Sequence, residues 1–438
     1  MLRRLISSVE NGSWGQEAET GEGVPLPCVR AADFDYARLA VDLRRAPRRT
    51  FDARTVRRLQ LNRGDLVLEK SGGGENQPVG RAVMYGLDRP AICSNFAARV
   101  RSAAGVDSRF LTYVLAHLYS SGATERCINQ TTGIQNLDTS AWLRESAPLP
   151  PLDVQRRIAD FLDDQVARIE DGIALRREQS ALLREETESI AFEAVTGVGL
   201  RTTAGGRDLP WTGTLPVGWG TPRICQVARM GTGHTPSRSQ PELWKDADIP
   251  WLTTADVHRF REDELEIIDD TMLHVSQMGI ENSAAVIHPR GTVALSRTAS
   301  AGFSIVMGRD MATSQDYATW TCGPKLLPDF LLWCLRAMRR DLLGRLAMGS
   351  THKTIYFPDL MSIRIPLPDV AIQREAVRCI QARSGESSHA RSAIRLSVEL
   401  LLERKRSLIT AAVTGEFDVS SASSRAADVA LSGVGSAG

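Results

Sequence analysis

The chain has 438 residues, and 53 Lys and Arg stand against 52 Asp and Glu, a net charge of +1. That length allows roughly two to four domains, and the charge advertises no global basic field, though it is compatible with nucleic acid as a partner. The apolar fraction, 42%, suits a chain with a packed core, and no apolar run reaches the ~18 residues that a membrane span needs.

Residues 1–147 read as a first non-helical block. Strand-like pieces recur at Leu26 to Val29, Leu66 to Leu68 and Arg81 to Tyr85, with glycine-rich turns between them, notably Ser71-Gly72-Gly73-Gly74. Arg109 to Leu118 places Phe110, Val114 and Leu118 on one helical face. The start, Met1 to Ile6, is basic but lacks a long apolar stretch, so no export signal is expected. Seven cysteines are scattered as singletons, without Cys-x-x-Cys or His at ligand spacing. That pattern predicts reduced thiols in a cytoplasm and no structural zinc.

Residues 148–197 and 366–415 match one another without a gap at an offset of 218. Both run from Pro-Leu-Pro to Ala-Val-Thr-Gly, and both keep Gln155/Gln373, Arg156/Arg374, Leu182/Leu400, Leu183/Leu401 and Glu185/Glu403. A fixed-offset match of this length is an internal repeat. Each copy reads as one long helix, with proline before it, Asp153 or Asp369 as the expected cap, and glycine after it. Leu162, Val166, Ile169, Ile173, Leu183, Ile190 and Ala194 form a coiled-coil-like seam, interrupted at Arg176, Ser180 and Thr187. The second copy matches at Ile380, Ile394, Val398, Leu401, Leu408 and Ala412.

Residues 198–209 read as a linker, and 210–364 as a second block that echoes the first. Pro27 to Asp33 is answered by Pro250 to Asp256, Gly64 to Ser71 by Gly291 to Thr298, Ser94-Asn95 by Ser314-Gln315, and Phe110 to Tyr113 by Phe330 to Trp333. The offset drifts between these anchors, so the loops differ in length. Residues 365–417 carry the second long helix, and 418–438 are too poor in apolar residues to pack and are expected to be disordered. The expected class is α+β: two mixed α/β domains separated by two long antiparallel helices, related by a pseudo-twofold.

Catalytic constellations are scarce. The glycines of 72–80 do not make a phosphate loop, because Arg81 follows Gly80. Glu403-Arg404-Lys405 lies on the long helix without a partnering Asp strand. Candidate contacts to a duplex sit on turns at matching places in both blocks, where Arg, Asn and Gln read bases and Ser, Thr, Lys and backbone amides hold phosphates. They are Ser13 beside Trp14 in an early loop, answered by His234, Thr235, Ser237 and Arg238. Arg30 pairs with Thr253. Lys70 and Ser71, with the Gly72 turn, pair with Arg297 and Thr298. Thr132, Gly133 and Gln135 pair with Ser350, Thr351 and Lys353. The arginines from Arg44 to Arg58 read first as a solvated face.

This pattern resembles the specificity subunit of type I restriction-modification systems. The motifs that carry the resemblance are the two proline-led helices ending in Ala-Val-Thr-Gly, Pro-Leu-Pro-Pro-Leu-x-x-Gln-Arg-Arg-Ile at 148–158, the Gly-Asp-Leu-x-Leu strand at 64–68, and Trp211 to Trp219. The first block lacks the Trp-x-Gly-x-x-Pro-x-x-Trp entry that opens the second. The resemblance implies two target recognition domains that each read half of a split, asymmetric DNA site, and helices that act as a ruler. It implies no catalytic site and no cofactor in this chain. S-adenosylmethionine, ATP and Mg would sit on partners: two methyltransferase subunits and the restriction/translocase subunits. Two other readings stay open, a DNA-modifying enzyme with an unrecognised site and a coiled-coil protein-interaction scaffold.

Overall fold

The computed structural model describes residues 1–17, 23–74, 77–131, 133–198, 204–349 and 353–417. The chain divides into two compact units: residues 1–177 with the chain from 395 onward, and residues 178–394. Four helices organise them: α1 (Ser108–Ser120), α2 (Leu152–Thr196), α3 (Pro328–Ala337) and α4 (Val370–Thr414). The two long helices are each 45 residues and pass from one unit into the other.

In the first unit the strands used below are β1 (Ile6–Asn11), β2 (Val24–Val29), β3 (Leu66–Glu69), β4 (Ser71–Gly72), β5 (Ala82–Met84), β6 (Ile92–Cys93), β7 (Ala97–Ser102), β8 (Ile128–Thr131) and β9 (Ile134–Leu137). In the second they are β10 (Ala228–Thr232), β11 (Ile249–Leu252), β12 (Val293–Ser296), β13 (Ser304–Met307), β14 (Met311–Thr313) and β15 (Tyr317–Cys322). The order β1-β7-β3-β5 in one unit is the order β10-β15-β12-β13 in the other. A second sheet in each unit holds one parallel pair, β2 with β6 and β11 with β14. Gly64 and Gly291 open β3 and β12 at φ of +91° and +81°, a left-handed turn that a side chain disfavours. The sequence echoes therefore mark the same fold written twice.

Each unit buries its sheet under its short helix and under parts of both long ones. In the first unit Leu66, Leu68 and Val100 of the sheet meet Phe110, Leu111 and Val114 of α1, then Ala159, Leu162 and Val166 of α2 and Leu408 and Ala412 of α4. Phe161 faces Phe417, Glu170 pairs with Lys405 at 2.8 Å, and Gly172 faces Leu401, so the two helix segments run antiparallel there. In the second unit Ile190, Ala191 and Val195 of α2 meet Ala376, Val377 and Ile380 of α4, again in opposite directions, around Trp320, Phe330 and Trp333.

The repeated glutamine explains the repeat. Gln155 Oε1 accepts from the Asp107 N–H at 2.9 Å while its Nε2 donates to the Pro150 carbonyl at 2.8 Å and to the Gly105 carbonyl at 3.3 Å. Gln373 Oε1 accepts from the Leu327 N–H at 2.9 Å, and its Nε2 donates to the Pro368 carbonyl at 2.8 Å and the Lys325 carbonyl at 2.9 Å. Asp107 and Leu327 are the cap residues of α1 and α3. One buried amide thus ties the first turn of each long helix to the start of the short helix that covers its sheet.

Two boundaries differ from the sequence reading. α2 begins at Leu152, so Asp153 lies inside the first turn, paired with Arg157 at 3.2 Å, and does not cap the helix. A hairpin of Ala204–Leu209 with Gly213–Pro216 takes up the second half of the stretch read as a linker. At the place where Ile224–Gln226 forms a 3-10 turn in the second unit, Leu2–Arg4 forms one in the first. The expectation for 418–438 lies outside the described residues. No helix among the described residues is long and apolar enough to cross a membrane.

Replacing Gln373 by Leu leaves the Leu327 N–H and two carbonyls without partners in a buried place. At roughly 1–3 kcal/mol for each unsatisfied group, a loss of at least about 3 kcal/mol is expected. Gln155→Leu should cost a similar amount. Urea unfolding of the full chain checks this, and an unchanged midpoint would refute the tie.

Candidate nucleic-acid interface

In each unit the second residue after the first sheet strand, the end of β3 or β12, and the turn before β7 or β15 meet at one edge. The main chain holds them together in the same way twice. The Ser13 N–H donates to the Cys93 carbonyl at 2.8 Å, and the His234 N–H to the Thr313 carbonyl at 3.0 Å. The Lys70 N–H donates to Phe96 at 2.9 Å, and the Arg297 N–H to Asp316 at 2.8 Å. The Lys70 carbonyl then accepts from Leu137 at 2.9 Å, and the Arg297 carbonyl from Ile355 at 2.8 Å. Ser94 and Ser314 open the turn, each donating its N–H to the end of the parallel strand, at Val29 and Leu252.

Glycine makes this closeness possible. A Cβ on Gly12 would lie 2.1 Å from the Cys93 carbonyl oxygen, and one on Gly233 would lie 1.7 Å from that of Thr313. Neither glycine has a positive φ; the requirement is space, not backbone conformation. Beneath this edge in the second unit, His288 packs near Gly231 and Thr319. Burial pushes its imidazole below the ordinary value.

The side chains on this edge differ between the units. In the first, Lys70 Nζ donates to Asn11 Oδ1 at 3.0 Å and Ser71 Oγ to Asn136 Oδ1 at 2.7 Å, with β4 pairing β9. Gly72 and Gly133 leave open space where a side chain would stand. In the second, Thr235 Oγ1 donates to Gln315 Oε1 at 2.6 Å and Thr298 Oγ1 to Asp316 at 2.5 Å. Arg297 Nε donates to the Gln315 carbonyl at 2.9 Å, and its guanidinium lies 4.7 Å from the Phe357 ring centre. Ser237 and Arg238 are exposed, and Arg238 lies over Trp244 and Trp251 at 5.7 and 5.9 Å. Trp14, 38% exposed, carries Arg49 over its ring at 4.9 Å, while the Arg49 Nε donates to the Trp14 carbonyl.

Three candidates are placed differently from the sequence reading. Arg30 is engaged within the fold: its guanidinium donates to both Asp33 oxygens at 3.0 Å and to the Arg45 carbonyl. Thr253, 7% exposed, does the same job in the second unit, its N–H and Oγ1 both donating to Asp256. Each closes a capping box on a 3-10 turn. Gln135 is buried, and its Oε1 accepts from the Val79 N–H at 3.2 Å, fastening the loop that follows Gly73. Lys353 is exposed, with Nζ donating to the Leu343 carbonyl at 3.0 Å. Thr132, Ser350 and Thr351 lie outside the described residues.

The sequence reading passed over Asn11, Asn95, Asn136 and Gln315, which stand at the edge itself. The signal for two of them was present, because Ser94-Asn95 answers Ser314-Gln315. Among the described residues no group of three His, Cys, Asp or Glu is placed to hold a metal ion.

With this geometry in hand, comparison with known proteins is informative. A family model described as the type I restriction modification DNA specificity domain matches residues 216–389. The type I restriction enzyme MjaIX specificity subunit of Methanocaldococcus jannaschii is 23% identical over 164 residues, which is 37% of this chain and 37% of that one. The type I restriction enzyme EcoR124I/EcoR124II specificity subunit of Escherichia coli is 23% identical over 167 residues, 37% of this chain and 40% of that one. The chain thus matches these relatives over about two fifths of their length. A solved chain described under the structural basis of complex assembly and conformational transition of the type I R-M system aligns with a TM-score of 0.62. It is 18% identical over 94% of this chain and 96% of that one, and at that identity the likeness establishes the fold.

The glycine contacts give a local test. Gly233→Ala and Gly12→Ala should each cost on the order of 1–3 kcal/mol, the range for overpacking, and should release the Ser13 or His234 anchor. Gly74, whose Cβ would meet nothing within 4 Å, is the matched control. Thermal unfolding of the three variants decides: a drop for Gly233→Ala no larger than for Gly74→Ala refutes the close approach.

Proposed function

We propose that this chain is the DNA-reading subunit of a type I restriction-modification complex, a reading supported by the match of residues 216–389 to the type I specificity-domain model and by the similarity to the MjaIX specificity subunit. Each unit reads one half of a split site through its loop edge. The observation that carries this reading is the edge itself: one main-chain scaffold built twice, presenting Asn11, Lys70, Ser71 and Asn136 in one unit and Thr235, Arg297, Thr298 and Gln315 in the other. Equal scaffolds give equal docking on a duplex; unequal side chains make the two half-sites unequal.

The long helices supply the second part of the proposal, docking of two methyltransferase subunits and of the restriction subunits. Leu182 and Leu400, identical in the repeat, are 60% and 56% exposed and join no described core. Leu175 and Leu396 are exposed as well, at 66% and 57%. Exposed leucines on two repeat-matched helix faces suit two copies of one partner. S-adenosylmethionine, ATP and Mg would belong to those partners, and the complex would act in the cytoplasm. The helices, about 65 Å each at 1.5 Å per residue, act in this proposal as the ruler between half-sites.

The decisive experiment maps methylated adenines across host DNA with the chain co-expressed beside its methyltransferase subunit. A split, asymmetric motif with a fixed spacer, lost on deleting the chain, is the expected result. Methylation or cleavage by the purified chain alone would favour the enzyme reading, and no affinity for DNA in the assembled complex would favour the scaffold reading. One heptad deleted from each long helix at repeat-matched positions removes about 10 Å, so the spacer should shorten by roughly three base pairs at ~3.4 Å each; an unchanged spacer refutes the ruler.

Lys70→Ala and Arg297→Ala should each weaken binding of the complex evenly across sequences and lower the slope of log affinity against log salt by about 1. A titration at several salt concentrations reads this directly, and an unaltered slope removes both residues from the phosphate contacts.

A further inference from the structure

Polar side chains at the two loop edges are nearly all engaged within the protein. Lys70 holds Asn11, Ser71 holds Asn136, Gln135 is buried on Val79, and Thr298 holds Asp316. The turn before β7 or β15 is different. Asn95 is exposed and its amide makes no hydrogen bond among the described residues. Gln315, its counterpart, is exposed too; its Oε1 accepts from Thr235 Oγ1 at 2.6 Å, and its Nε2 has no partner among the described residues.

The backbone fixes both residues firmly. The turn is closed from Ala97 to Ser94 at 3.0 Å in one unit and from Tyr317 to Ser314 at 3.3 Å in the other. Its third residue accepts from the Lys70 or Arg297 N–H, so the turn is tied to the end of β3 or β12, the strand end that carries the cation. A turn fixed to a strand end that carries a cation, and bearing an exposed carboxamide whose N–H donors have no partner among the described residues, suits base reading: the cation meets phosphate, and the amide meets a base edge. An Asn or Gln amide matches adenine in the major groove, donating to N7 and accepting from N6.

We propose that Asn95 and Gln315 are the specificity-determining residues of their units, each reading one adenine, one in each half-site. This rests on the DNA-reading function proposed above. Thr235 orients the Gln315 amide; the carbonyl oxygen keeps a second lone pair for the N6 amino group while Nε2 faces N7. Asn95, shorter and without such a partner, stands beside Phe96, which is 52% exposed. The second unit has Asp316 at that place, bound to Thr298 and Ser314. The half-site read by the first unit therefore meets an apolar ring where the other meets an engaged carboxylate.

The test uses the full chain co-expressed with its methyltransferase subunits, with methylated adenines mapped across host DNA. Asn95→Ala should relax one position of one half-site, lowering the preference for adenine there on the order of 10- to 100-fold, the worth of a good bidentate pair. The other half-site should be unchanged, and Gln315→Ala should do the reverse. Gln315→Glu is the sharper variant: it keeps the acceptor for Thr235 but removes the donor, and carboxylates accept from the cytosine N4 amino group. It should move that position from adenine toward cytosine, which neither a structural nor a phosphate role would do. Asn95→Ala and Gln315→Ala should leave thermal unfolding of the complex unchanged. Even loss of methylation over all sequences, or an unaltered motif, overturns the proposal. A wild-type chain whose deletion changes no methylation overturns the DNA-reading function beneath it, an outcome separable from failure of the two residues.

Discussion

Gln155 and Gln373 occupy the point on which each unit turns. A long helix must begin where its proline-led entry crosses the start of a short helix, and that crossing buries main-chain groups of both. Helix starts leave N–H groups unpartnered, and the loop just before each short helix leaves carbonyls. A carboxamide carries donors and an acceptor on one planar group, so a single side chain satisfies both sides. Exposure of 1% and 0% means that water cannot substitute for either amide. No hydrophobic residue could do this, and an acid would lack the donors. The conservation of this residue between the two copies within one chain follows from that geometry.

From this tie the sheet, the short helix and the long helix of each unit become one body, and the loop edge rests on that body. The edge is held by main-chain hydrogen bonds at β-strand ends, so its shape does not depend on which side chains it displays. Gly12 and Gly233 are the exception, because space there is consumed by a carbonyl. The displayed side chains are free to differ, and they do: an amide–lysine pair in one unit, a threonine–glutamine pair in the other. A scaffold that fixes position while leaving side chains free is what a reader of two different sequences requires.

Much of this was legible in the chain. The ungapped repeat gave both long helices, the echoes gave the doubled fold, and Lys70 and Arg297 fall at corresponding strand ends. The candidates that the fold itself engages share one physical cause. Arg30, Thr253 and Gln135 have the residue types that contact DNA, and those types also cap turns and satisfy buried amides. Asp33 and Asp256, three residues on, were the visible sign of a capping box. Asn95 was passed over although the echo of Ser94-Asn95 in Ser314-Gln315 was legible, because an echo marks a shared position and not which side chain there is left unengaged. Sequence reports composition at a position, while engagement within the fold decides whether a polar group is left for a ligand.

The helix seam adds a constraint of a different kind. Lys405 and Glu170 are buried together, with side-chain exposures of 10% and 8%, and Lys405 also reaches the Ala37 carbonyl. Two apolar residues could fill the same volume at no loss of stability, since desolvation offsets most of the attraction between buried charges. A buried pair does something that leucines cannot: it is satisfied in one register only. Sliding the α4 segment by a turn along the α2 segment within the first unit would strand both charges, whereas an all-leucine seam would repack. The ruler proposed above requires a helix pair that does not slide, and a buried charge pair is a kind of contact that penalises sliding.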